Sequence, residues 1–194
     1  KSSRSMQFGA FPRTNIPVKI ESFESYINLV KTLMETDSII KSRQIWWKIR
    51  PHLDFGTLEY RICDAQRSLS RTKMLIALTQ ALVHSYDHKV KFNKNLEDMN
   101  YEILNDAFWK ATRFGFNSII TDCFDGQRIS IKDYIYKMID NIMPSLLELG
   151  NENIVASIED VIDNGTEADQ QLNEFQKNGM EGLLIFLMEN VDYD

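Results

Sequence analysis

The chain has 194 residues, with 22 basic against 28 acidic side chains and a formal net charge of −6. That length suffices to bury a core, with one domain as the starting expectation, and the acidic balance argues against nucleic acid as the main partner while leaving room for a local basic cleft. Two distant cysteines, Cys63 and Cys123, form neither a disulfide framework nor a metal motif, and no signal peptide or membrane-length apolar run is present, so a cytoplasmic, membrane-free protein is expected.

Residues 1–19 carry Pro12 and Pro17 and read as extended, with a strand-like piece at 6–11. A helix is predicted from Ser22 or Phe23 to about Met34, where Phe23, Tyr26, Ile27 and Val30 recur at helical spacing. Residues 46–64 then read as two strands joined by a short turn containing Pro51. On the second strand Leu58, Tyr60 and Ile62 point one way, and Thr57, Glu59, Arg61 and Cys63 the other. On the first, Trp47 and Ile49 are apolar where Lys48 and Arg50 are polar. Matching faces pairs Arg50 with Thr57, Lys48 with Glu59 and Trp46 with Arg61. The apolar face is expected to be core, and the other gathers Lys48, Arg50 and Arg61 around Glu59. Two readings of that polar face stand from pattern alone. One is a solvated cross-strand ion-pair ladder; the other is a cleft lining whose carboxylate holds a divalent metal and whose cations meet a polyanion.

Further on, helices are predicted at about 69–86 and 96–114, the second stopped by Gly115. A polar loop at 122–127 precedes Ser130, which with Asp133 caps a helix carrying Ile131, Ile135, Met138, Ile142 and Leu146. Pro144 predicts a kink or break in it. Two or three short helices follow across 152–190, punctuated by Asn164-Gly165 and Asn178-Gly179, with Thr166 and Asp169 as a cap. The sum is an α+β chain with a small antiparallel sheet and a large helical share. Sheet-forming residues fall at about 1–64 and helical ones at about 65–194, as a single domain or the C-terminal half of a longer protein.

Residues 46–52 (WWKIRPH), 55–59 (FGTLE) and 61–64 (RICD) together resemble the signature of the type 2 glutamate–cysteine ligase family, the carboxylate–amine ligases. Arg4-Ser5-Met6, Phe11-Pro12-Arg13-Thr14, Ile16-Pro17, the segment from Trp109 to Gly115 and that from Gly165 to Gln171 resemble further family segments, in order. The resemblance spans nearly the whole chain but corresponds to the C-terminal half of the usual family member. The family's N-terminal acidic metal motif and histidine-bearing segment have no counterpart. It implies a glutamine synthetase-like ligase fold, with ATP and Mg²⁺ as cofactors and glutamate plus an amine such as cysteine as substrates. By the same resemblance Glu59 is the metal ligand and Arg61 both a catalytic and a nucleotide-binding residue. Arg50 is a catalytic, anion-binding residue, and Arg113 binds the nucleotide. A homo-oligomer or a complementing N-terminal half is the implied partner. The chain departs from the family pattern at Asp106-Ala107-Phe108, where many members carry Glu-Asn-Lys, and at Gln170, where arginine is usual. Two rival expectations follow: a non-catalytic relative that binds a nucleotide or partner, and a fragment that completes its site with a second polypeptide.

Overall fold

The computed structural model describes residues 1–91, 99–189 and 191, and divides into two compact units. One is Ser3–Asp64; the other is Ala65–Asp194 together with Lys1–Ser2. The chain is α+β, with helices and two antiparallel two-stranded sheets.

The first unit opens on a short helix, α1 (Ser3–Phe8), where an extended segment was expected. The Thr14 hydroxyl donates to the Phe11 carbonyl at 2.8 Å and also to that of Phe8, which serves carbonyls left over at the helix end. Helix α2 (Phe23–Glu35) starts where the sequence places it. The Ser22 hydroxyl accepts from the Ser25 amide at 3.1 Å. Its apolar stripe, Tyr26 and Val30, packs with Ile39, Ile45 and Trp47 into the unit's core.

Strands β1 (Ile49–His52) and β2 (Thr57–Tyr60) pair antiparallel, as expected, but two residues out of the expected register. Arg50 stands opposite Glu59, and Pro51 opposite Leu58. A slip of two residues leaves every side chain on its face, because the strand period is two. Pro51 therefore lies inside β1 rather than in the turn, and His52 closes the strand. The four-residue loop ends at Gly56, whose φ of 61° favours glycine and whose amide donates to the His52 carbonyl at 2.9 Å.

Burial of this ribbon departs from the expectation, although Trp47 joins the core as its face predicts. Lys48 and Arg50, on the polar face, are each 5% exposed, while Leu58, Tyr60 and Ile62 are 52%, 39% and 43% exposed. The polar face can be covered because its charges find partners there, whereas the apolar pattern of β2 states only which residues share a side.

In the second unit α3 (Leu69–Lys91), α5 (Ile131–Glu148) and α6 (Ile154–Asn164) share one core of Met74, Ala81, Ile139, Ile142, Leu146, Ile154, Ile158 and Ile162. Pro144 does not break α5: it is exposed, while Ile142, Ser145 and Leu146 around it are buried and hold the helix to the core. Helix α4 (Tyr101–Phe114) is capped by Asn100, which accepts from the amides of Glu102 and Ile103, and ends at Gly115. Its expected start near residue 96 lies outside the described residues, as does Asn190 at the far end. Between α4 and α5 a second ribbon, β3 (Ile119–Thr121) and β4 (Arg128–Ser130), flanks the polar loop. Three-residue strands show too little alternation to be read from sequence. Helix α7 (Glu167–Glu189) is interrupted at Gly179, whose φ is 67°. Among the described residues no helix is long and apolar enough to cross a membrane.

Candidate functional site

The first ribbon concentrates charge by construction. With Arg50 opposite Glu59 and Arg61 two residues along the same strand face, both guanidinium groups reach one carboxylate. Arg50 Nε and Nη2 donate to Glu59 Oε2 at 2.9 and 2.7 Å, and Arg61 Nη1 donates to Oε1. Arg50 Nη1 also donates to the carbonyls of Arg43 and Ile45, in the segment that covers this face. Four of the five Arg50 N–H donors are thus used within the protein. Among the described residues Arg61 uses Nη1 alone, and its guanidinium carbon lies 5.7 Å from the centre of the Trp46 ring.

Arg4 completes the group. Its Nη1 donates to Asp64 Oδ1 at 3.1 Å and its Nη2 to the Arg61 carbonyl at 2.7 Å, which ties α1 to the end of the second strand. Lys48 lies beside them, because the Arg61 amide donates to the Lys48 carbonyl at 2.8 Å. Sequence reasoning quoted Arg4 only as part of a resembling segment and gave it no role. No local pattern links residues sixty apart.

The electrostatics follow from burial and neighbours. Burial alone would push the Glu59 carboxyl up, but the hydrogen bonds and charges of Arg50 and Arg61 outweigh it and hold Glu59 below its ordinary range. Burial pushes the Lys48 ammonium down; Arg4 and Arg61 add to that, and Asp64 opposes it. Partial burial, with the Asp64 charge beside it, pushes the Cys63 thiol up, and Arg4 opposes the shift. Four cations, Arg4, Lys48, Arg50 and Arg61, face two carboxylates, Glu59 and Asp64. That surplus suits an anion carrying several charges.

The fit to a metal is narrower. A carboxylate offers about four lone-pair sites, and guanidinium N–H groups occupy three on Glu59. Glu59 can give a Mg²⁺ ion one oxygen, so the remaining ligands would have to be phosphates, waters and carboxylates outside this ribbon.

Arg113 belongs to the other unit, exposed near the end of α4, with its guanidinium carbon 5.7 Å from the centre of the Phe114 ring. Ala107, on the same helix, is half-buried. The Gly165–Gln171 segment is built as its sequence suggests. The Thr166 amide donates to Asp169 Oδ2 at 3.0 Å, the Asp169 amide donates to Thr166 Oγ1 at 3.3 Å, and Gly165 adopts a φ of 88°. What the sequence did not reveal is its tie to the start of α3. Arg67 Nε donates to Glu167 Oε2 at 2.8 Å and Nη2 to Gln170 Oε1 at 3.1 Å, while Arg71 Nη2 donates to the Gly165 carbonyl at 3.3 Å. These partners lie about a hundred residues apart, beyond any periodic signal.

The first ribbon thus gathers four cations around Glu59 and Asp64, in an α+β chain. Residues 1–189 match the family described as glutamate-cysteine ligase family 2, and the chain belongs to that family. It is 30% identical over its full length to a protein of Solibacter usitatus named "Putative glutamate--cysteine ligase 2", covering 50% of that relative. Proteins of the same name from Chloroflexus aurantiacus and Gloeobacter violaceus are 30% and 32% identical over 98% and 88% of this chain, which covers 50% and 46% of them. The chain thus spans about half the length of these relatives.

Proposed function

We propose that this chain is one half of an ATP-dependent carboxylate–amine ligase of glutamate–cysteine type, with the first ribbon lining its phosphoryl-transfer cleft. In that reaction an oxygen of the glutamate γ-carboxylate attacks the γ-phosphorus of ATP and ADP leaves. The amine nitrogen then attacks the acyl carbon, phosphate departs with the C–O electron pair, and the amine gives its surplus proton to water. Bound Mg²⁺ would neutralise phosphate charge and draw one ligand oxygen from Glu59.

The observation that carries the reading is the unequal use of the two arginines. Arg50 spends four donors on Glu59 and two backbone carbonyls, so its part is to hold Glu59 in place and cover the ribbon. Arg61 spends one, and its other N–H groups are available to the oxygens of a transferring phosphoryl group. Lys48 and Arg4 add positive potential without being required to touch the substrate. Departures at Ala107 and Gln170 favour a second reading, a non-catalytic relative that binds nucleotide through the same ribbon; Gln170 here accepts from Arg67 where the family usually has a cation.

The test uses the full-length protein that contains this chain. Glutamate-dependent ADP release and amide formation are followed with a panel of amines, beside the Arg61→Lys variant. The ligase reading expects amide from the parent and a kcat lowered by at least about a hundredfold in the variant, since lysine keeps the charge and loses the planar fork. ATP binding with no glutamate-dependent turnover would select the non-catalytic relative. Turnover unchanged by Arg61→Lys would remove the ribbon from the cleft.

A further inference from the structure

His84 and His88 lie one turn apart on α3 and therefore share a face, with ring centroids 4.4 Å apart. Glu148, the last residue of α5, stands across from them. Its Oε1 is 3.7 Å from His84 Nε2 and its Oε2 is 4.0 Å from His88 Nε2. The meeting is fixed by packing, because Ala81, one turn before His84 on α3, and Leu146, just before Glu148 on α5, have no exposed surface. The Nδ1 atom of His84 is buried, which leaves Nε2 as its nitrogen on the open side. One ligand atom from each of the three residues lies within 4.8 Å of the others.

Zinc bonds of about 2.0–2.1 Å in a tetrahedral site hold ligand atoms roughly 3.3 Å apart, so the three groups need close by only a fraction of an ångström to about 1.5 Å. Rotation of the exposed Glu148 and His88 side chains supplies that. The C-terminus of α5 adds the negative end of its helix dipole, which favours a cation. Two imidazole nitrogens and one carboxylate oxygen suit a borderline transition ion. Mg²⁺ and Ca²⁺ prefer oxygen alone.

We propose that α3 and α5 form a binding site for a divalent transition metal of the Zn²⁺ class, with His84 and His88 giving Nε2, Glu148 giving a carboxylate oxygen and water completing the shell. The ion clips the C-terminal end of α5 to the C-terminal part of α3. The site is separate from the ligase reading and stands or falls without it.

Calorimetric titration of the protein with Zn²⁺ alone at neutral pH tests this, with Mg²⁺ as the comparison ion. The expected result is saturable one-to-one Zn²⁺ binding, a melting temperature raised by Zn²⁺ and not by Mg²⁺, and an affinity at least about tenfold weaker in His88→Gln and in Glu148→Gln. Losing a neighbour of a ligand already costs about that much, and losing a ligand should cost no less. The side chains of His88 and Glu148 are 45% and 61% exposed, so the variants are expected to keep the fold. Cys63→Ser should bind as the parent does. Visible spectra of the Co²⁺-loaded parent provide a readout free of any folding defect, and should lack thiolate-to-metal charge transfer. No saturable Zn²⁺ binding, an affinity unchanged in His88→Gln, loss only in Cys63→Ser, or a thiolate band would each overturn the proposal.

Discussion

Glu59 meets two guanidinium groups at once, and this makes part of the fold's stability depend on acid. Its carboxyl is held below the ordinary range in the folded chain: burial acts against ionisation, and the hydrogen bonds from Arg50 and Arg61 more than offset it. A carboxyl lowered by folding stabilises above its unfolded pKa, roughly 4.3 for glutamate, and loses that contribution as pH falls through the lower folded value. Glu59→Gln is therefore expected to melt below the parent at neutral pH, with a gap that narrows below about pH 4 and closes in stronger acid. Thermal melts across that range check it; a gap that stays constant would mean that ionisation of Glu59 adds nothing to stability. Arg50 is the costlier residue to lose. Removing its side chain leaves Glu59 with Arg61 but strips the Arg43 and Ile45 carbonyls of their donor. Arg50→Ala should lose about 3 kcal/mol in urea unfolding, the lower end for a broken buried pair because Glu59 is partly exposed. A loss under about 1 kcal/mol would return the ribbon to an ordinary surface ladder.

At the scale of elements, α5 carries a local defect that its packing overrides. Pro144 has no N–H to give the Asp140 carbonyl, yet the helix runs unbroken from Ile131 to Glu148. Ile139, Ile142 and Leu146 anchor one side in the core, while Asp140 and Pro144 are exposed. A proline in a helix interior costs about 3 kcal/mol relative to alanine, and about 1 kcal/mol returns through the stiffer unfolded chain. Pro144→Ala should accordingly stabilise the second unit by about 2 kcal/mol. Denaturant midpoints decide the matter, and a destabilised variant would mean that the proline ring has a packing role. The first ribbon shows the converse, with sound local pattern and displaced pairing. Alternation placed Glu59 and Arg61 together on one face, but the partner it gave Glu59, Lys48, is two residues from the Arg50 that stands opposite.

For the whole molecule, the acidic total and the cationic ribbon are compatible because charge acts locally: the net charge of −6 coexists with four cations gathered within the first unit. The chain spans about half of its relatives, and guanidinium N–H groups take three of the roughly four lone-pair sites on Glu59. Phosphoryl transfer with metal ions calls on several carboxylates. Residues 1–194 alone are therefore expected to form no amide from glutamate, ATP and any amine in a panel, and to do so once the remaining half is supplied. Robust turnover by the isolated chain would sink the idea that its site is shared.

The resemblance of several short segments pointed to the family, while residue types and spacing determined the placing of α2 and α5, the start of α3, the caps at Ser130 and Thr166, and the face on which Arg50, Glu59 and Arg61 gather. These are properties of three to seven consecutive residues, which helical and strand periods express directly. Pairing across strands is not such a property: a shift of two residues keeps the faces and changes every partner, so only the folded loop ending at Gly56 settled Arg50 against Glu59. Nor does a pattern state which face is covered. Lys48 and Arg50 went inside because the Arg43 and Ile45 carbonyls and Glu59 could satisfy a buried guanidinium, while Leu58, Tyr60 and Ile62 stayed largely exposed. The joins of Arg67 to Glu167 and of His84 and His88 to Glu148 have the same origin. Helix packing brought together charges that lie tens of residues apart, and only the tertiary structure could do that.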